Sequence, residues 1–320
     1  MASEAIADLP TGEPIPMPTT DVSAPEPKPT PKRSPTNLSA MLTTAPSKLD
    51  AFLARLNKCL STPSGIDTVL LFICYTSRFS ASILGRLSES ALRRSAKEWI
   101  ALVSTLPPKT TILFKTSPIS SSSSSPSVTQ LSQTATAAAA LVLSRRLKAL
   151  STLLSEARMI LRLWGLLGMY FWAKSLIVKT KHQSSDSPTE SKKSLVETAI
   201  SWTQLLTCII FQALENGAYL SSKGALGWDA KTQASAYKWS ARFWSLYTGV
   251  ELGRLAAEAL NPNKTAAVNS WRKQVARNLA WAPLTVHWSM DKGFVPEAMV
   301  GLLGSIPGII QMRELWAENA

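Results

Sequence analysis

From residue 47 onward, apolar residues recur three and four positions apart, the spacing of helices that bury one face. Leu49, Phe52, Leu53, Leu56 and Leu60 form the first stripe. Ser47-x-x-Asp50 opens it as a helix start signal, and Pro63 and Gly65 stop it. Ser64 with Asp67 offers the next N-cap pair. No run alternates apolar and polar positions between hairpin turns, so the pattern predicts an all-α protein. Over 78–100, a helical wheel puts Ala81, Ile83, Leu84, Leu87, Ala91, Leu92 and Trp99 on one half. Arg78, Arg86, Arg93, Arg94 and Lys97 take most of the other, and Glu98 intrudes on the apolar side. Two readings stay open for this stretch. It lies in a bilayer interface with its cations over lipid phosphates, or it covers a helical core as an ordinary surface helix.

Three further runs carry almost no charge. Residues 163–178 hold only Lys174, residues 198–214 none, and residues 294–312 only Glu297. A bilayer crossing takes about 20 apolar residues, so each run is short or interrupted. Trp164, Trp172, Trp202, Trp228, Trp281 and Trp288 flank these runs. They suit either headgroup depth or a helical core. Gly304 with Gly308, and Gly249 with Gly253, have the GxxxG spacing that permits close helix approach.

Polar breaks organise the chain. Residues 1–46 hold half of the 20 prolines and read as a disordered tail. A serine-rich segment over 106–127 reads as a flexible loop, and 179–193 as a polar loop. The helical domain is expected over 47–316.

Composition narrows the partners. Only 17% of the 320 residues are charged, below the roughly 25% of an ordinary soluble domain. Lys and Arg outnumber Asp and Glu 34 to 21, a net charge of +13 that suits nucleic acid or the cytosolic face of a membrane. No nucleic-acid module is recognisable, which leaves anionic membrane lipids as the expected partner. Cys59, Cys74 and Cys208 form no CxxC pair and read as reduced thiols. His182 and His287 have no neighbouring ligand set, so no metal site is expected. GxGxxG, Walker A, GxSxG and HExxH are all missing, and no triad has support, so neither an enzyme nor a cofactor is expected. No apolar run follows Met1, so no cleaved secretory signal is expected, and Glu4, Asp8, Glu13, Asp21 and Glu26 argue against a mitochondrial presequence.

The stretch LDAFLARLNKCLSTPSGIDTVLLFICYTSRF resembles the start of the peroxin-11 family of peroxisomal membrane proteins, through Gly65, Asp67, Tyr75, Arg78 and Phe79. Ile66 and Thr68 replace the family's basic residues around the aspartate. Residues 155–176 resemble the family's R-x-x-L-R-L helix through Arg158, Leu161, Arg162 and Leu163, with both arginines expected as snorkelling anchors. Residues 276–312 resemble its C-terminal end through His287–Trp288 and Gly301–Gly304. The His-Trp pair and proline-rich tail suggest the gamma branch found in fungi.

The resemblance implies a membrane-associated helical bundle of the peroxisomal membrane that promotes membrane elongation, proliferation and fission. It also implies self-association, contact with family paralogues, and links to the organelle's fission machinery. On this reading Arg78, Ile83, Leu84, Arg86, Leu87, Leu92, Arg93, Arg94 and Lys97 contact lipid. Gly301, Gly304 and Gly308 serve helix contact, and His287 is a packed side chain. A helical pore for small metabolites and a peripheral membrane adaptor are the alternatives.

Overall fold

The computed structural model describes residues 38–104, 128–183, 188–260 and 268–319. They form eight α-helices and no strand: α1 (Leu38–Cys59), α2 (Pro63–Ser104), α3 (Val128–Arg162), α4 (Gly165–Gln183), α5 (Pro188–Ser222), α6 (Ala230–Ala259), α7 (Val268–Ser289) and α8 (Glu297–Glu318). The protein is an all-α bundle, as the periodicity predicts. α3 packs on α2, α2 on α8, α8 on α7, α7 on α6, α6 on α5, and α5 reaches back to α3. Six helices thus close a ring around one core. α4 lies on α5 outside that ring. α1 docks on the last turn of α8, where Arg55 donates to the Trp316 carbonyl at 2.8 Å and covers its ring at 4.5 Å.

Several boundaries differ from those composition suggested. α1 starts at Leu38, so 38–46 are helical although they were grouped with the proline-rich tail; Leu38, Met41 and Leu42 are good helix formers. Residues 1–37 and the serine-rich 106–127 lie outside the described residues. Most of the expected polar loop 179–193 is helix, because α4 runs to Gln183 and α5 starts at Pro188. Lysine, glutamate and glutamine are polar yet helix-compatible, and Pro188 stands where a helix needs no N–H. The cap of α2 also moves. Thr62, not Ser64, accepts the Gly65 N–H at 3.0 Å, with Pro63 at the first helical position. A Cβ on Gly65 would stand 2.0 Å from the Cys59 carbonyl oxygen, so the turn admits only glycine.

α2 and α3 run antiparallel in a register of sevens. Asp67 meets Arg158, Cys74 meets Ser151, and Ala81 meets Ser144. The next step brings buried Ser88 level with buried Ala137. A sustained seven-residue spacing keeps one seam facing its partner along both helices. Small side chains bring the backbones together. The Ser144 hydroxyl donates to the Ala81 carbonyl at 2.7 Å, and a Cβ on Gly85 would come within 3.0 Å of that hydroxyl.

The opposite side of α2 receives α8. A Cβ on Gly301 would lie 2.6 Å from the Phe79 nitrogen, on Gly304 2.2 Å from the Tyr75 ring, and on Gly308 3.1 Å from the Phe72 Cα. The other glycine pair, Gly249 and Gly253, has nothing within 4 Å and brings no helix close.

Inside the ring the core is aromatic. Trp244 stacks on Trp288 at 6.0 Å and on Phe211 at 5.8 Å, while Trp281 meets Trp244 at 5.2 Å and Tyr75 edge-on at 5.6 Å. Trp281 is 1% exposed, so it and Trp288 are core residues instead of headgroup anchors. Buried Ala241 and Ala280 on the same helices leave room for these rings. His287 is packed as well: its Nδ1 accepts the Val295 N–H at 2.8 Å, and a Cβ on Gly293 would stand 2.0 Å from the imidazole.

The Gly301 contact sets the first testable expectation. Gly301→Val would push against backbone that cannot yield, and overpacking of this kind costs about 1–3 kcal/mol. Gly249→Ala, in open space within a helix, should instead stabilise by about 1 kcal/mol. Thermal unfolding in detergent, followed by tryptophan fluorescence, separates the two. Equal midpoints for both variants would refute the α2–α8 packing.

Candidate functional site

α2 carries all nine of the sequence-predicted lipid contacts, and they divide by location. Arg86, Arg93, Arg94 and Lys97 are exposed on its second half. Ile83 and Leu87 are exposed beside them, and Leu84 and Leu92 are half-buried. Arg78 departs from this group. Its side chain is only 12% exposed and its Nε lies 3.9 Å from Glu297 Oε1, which Lys148 also meets at 3.3 Å. Arg78 therefore belongs to a charge cluster where α2, α3 and α8 meet, and not to the outer basic face. The physical reason is position: the first turn of α8 covers α2 at this level. Gly301, Gly304 and Gly308 all face α2.

The principal polar feature of the interior was not foreseen. Arg158 has no exposed surface, so it is not a snorkelling anchor. Its Nε and a terminal nitrogen donate to the two carboxylate oxygens of Asp67 at 2.7 and 3.1 Å. This two-pronged geometry is the strong form of a charge pair. Burial alone disfavours the Arg158 charge; the Asp67 charge and hydrogen bonds more than offset it and hold the proton more tightly than usual. One turn further, Arg162 pairs with Glu215 of α5. Burial, then the neighbouring Arg158, pushes Arg162 down to about 9, so it stays protonated at neutral pH. Two carboxylates and two guanidiniums balance one another in this network.

The same network closes the break between α3 and α4. The Gln212 amide donates to the Arg162 carbonyl at 3.1 Å and to Asn216 at 2.7 Å, and Asn216 donates to the Leu163 carbonyl at 3.4 Å. These are carbonyls that the end of α3 leaves without helical partners. The charge network thus joins α2, α3 and α5 and steers the chain into α4. A seven-residue spacing of Asp67, Cys74, Ala81 and Ser88 was the available sequence signal, but it lies in small and polar residues that a search for apolar stripes passes over.

The outer surface is unusually apolar. Leu87 and Leu153 are each 63% exposed and Leu167 60%, and Trp164, Tyr170 and Phe171 also face outward on or beside α4. Two helical stretches, Pro63–Glu98 and Leu195–Ser222, are long and apolar enough to cross a membrane by length and composition. The second contains the uncharged run 198–214. The first was not among the three runs singled out from sequence, because Asp67, Arg78 and Arg86 punctuate it. The runs 163–178 and 294–312 fall largely in α4 and α8 and give no such stretch among the described residues. No group of three His, Cys, Asp or Glu that could hold a metal occurs among the described residues.

The Asp67–Arg158 pair has a measurable signature. Asp67→Leu leaves a buried guanidinium without its partner, a loss of about 3–5 kcal/mol. Adding Arg158→Met removes the stranded charge and should recover much of that stability. Chemical unfolding of both variants checks this, and a double variant no more stable than the single one would show the pair to be uncoupled.

No family model and no solved structure matches the chain. An uncharacterised protein of Schizosaccharomyces pombe is 30% identical over 167 residues, covering 52% of this chain and 74% of that protein. The chain belongs to the same protein family as that fission-yeast protein.

Proposed function

We propose that this is an integral protein of the peroxisomal membrane that shapes the bilayer, promotes elongation and fission of the organelle, and carries out no catalysis. The observation that supports membrane residence is the inversion of its packing. Ser151, Gln212, Ser240, Thr248 and Arg158 are buried, while Leu87, Leu153, Leu167 and Leu206 face outward. In water this distribution is unfavourable on both counts. In lipid it is the expected one, because small and polar residues knit helices together and leucine is as apolar as the acyl chains. Pro63–Glu98 and Leu195–Ser222 are the candidate crossings.

The organelle and the shaping role rest on the peroxin-11 resemblance, carried by Gly65, Asp67, Tyr75, Arg78 and Phe79 and by the blocks around Arg158 and His287. Asp67, Arg158, Tyr75 and Gly304 give that resemblance a structural sense, since they are the residues that join α2 to α3 and α8. Anionic lipids, family paralogues and the fission machinery are the partners this reading implies.

Two measurements test it. After alkaline carbonate washing the protein should remain in the membrane pellet; release into the supernatant would favour a peripheral adaptor. A fluorescent fusion should coincide with peroxisomal markers, and excess protein should elongate or cluster the organelles. Residence on another membrane, or unchanged organelle shape under excess, would refute the peroxisomal role.

A further inference from the structure

The ring of helices has two unlike sides. α7 stands opposite α3, three places away in either direction, and α4 lies outside the ring on α5. On the α3 side, Leu153 and Ile160 come two residues after the seam residues Ser151 and Arg158, so they share a line that faces away from α2. Trp164, 76% exposed, follows at the helix break. Met169 and Leu176 turn α4 toward Leu205 and Cys208 of α5, and exposed Leu167, Tyr170 and Phe171 lie on its other sides. From 149 to 173 the charged residues are Glu156, paired with Lys223, and Arg158 and Arg162, held inside by Asp67 and Glu215. Exposed cations bound this apolar strip, with Arg146 seven residues before Leu153 and Lys174 seven after Leu167.

The opposite side is charged. Lys273 and Arg277 of α7 meet Glu314 of α8 at 2.9 and 3.8 Å, and Arg272, Arg313 and Glu318 are exposed on the same two helices. Gly308 lies on Phe72 and Leu315 on Cys59, so this cluster stands level with the start of α2, where Asp67 meets Arg158. A bundle that crossed a bilayer would carry these charges into hydrocarbon. Neither apolar stretch escapes the difficulty. Exposed Arg145, Arg146 and Lys148 lie level with residues 74–81, midway along Pro63–Glu98. Lys174 lies level with Leu205 and Cys208, midway along Leu195–Ser222.

We propose that the protein sits in one leaflet only, embedded by the α3–α4 strip, and that no described helix crosses the bilayer. The occupant of the strip is the acyl region of a phospholipid leaflet, with Arg146 and Lys174 reaching its headgroup phosphates and the α7–α8 side in water. A second copy fits the strip poorly. Laid along it in either direction, it would set the cations at each end against cations. The proposal rests on the membrane reading above and adds which side goes in, and how far.

The test uses the full chain reconstituted in sealed phosphatidylcholine vesicles. A polarity-sensitive dye is attached at Leu167→Cys or Ala317→Cys, the native thiols being buried. Lipids with a quencher on the acyl chain should quench it strongly at 167 and weakly at 317. Separately, Glu197→Cys with Ala225→Cys places thiols at both ends of α5, and Ser61→Cys with Lys97→Cys does so for α2. A membrane-impermeant thiol reagent should add two labels or none to each molecule of either pair, because both ends lie on one side. One label per molecule in either pair would show that helix to cross, overturning the proposal while the membrane reading stands. Equal quenching at 167 and 317 would do the same, since both sides would then face lipid. Quenching at neither position would overturn the membrane reading and the proposal together.

Discussion

A guanidinium with no exposed surface sets the geometry of this protein. Arg158 and Asp67 stand 91 residues apart in the chain, and each is tolerable in the interior only because the other is there. A slip of α3 along α2 would strand both charges, so the pair selects one register among several that small seam residues would accept equally well. With that register chosen, Ser151 reaches Cys74 and Ser144 reaches Ala81. One turn away, Arg162 finds Glu215 and brings α5 alongside.

Two kinds of packing coexist around α2. Toward α3 and α8 it is backbone-close, made by serine, alanine, cysteine and glycine. Toward the centre of the ring it is bulky, made by Tyr75, Phe211 and three tryptophans. The two depend on each other. The glycines of α8 let that helix lie against the Tyr75 ring, and the edge of that same ring then closes the core on Trp281. Close approach on one side positions the aromatic face on the other.

This division bears on what the outer surface can do. Because small residues hold the helices together, the large apolar side chains are free to face outward on α3, α4 and α5. The basic residues of α2 collect past the point where α8 leaves it, on a two-helix extension that the bundle does not cover. Small residues hold α3 close against that part of α2, at Ala81, Gly85 and Ser144.

By itself the sequence determined the fold class, most helical segments, the uncharged run within α5, and the glycine spacing that α8 presents. These are local properties: a helix needs periodicity, caps and the absence of breakers, all of which lie within a few neighbouring residues. Partners are not local. The apolar period of α2 showed which residues share a face and could not show that α3 covers Ala81 and Ser88, or that α8 covers Phe72 and Phe79. Trp281 and Trp288 have the same neighbours in sequence whether they face lipid or a core, and only the convergence of α2, α6 and α7 buries them. Asp67 looked like a helix cap and Arg158 like a surface anchor because the sequence shows each without the other. Tertiary structure decided their role, since a buried charge is defined by its counter-charge and here that lies on another helix.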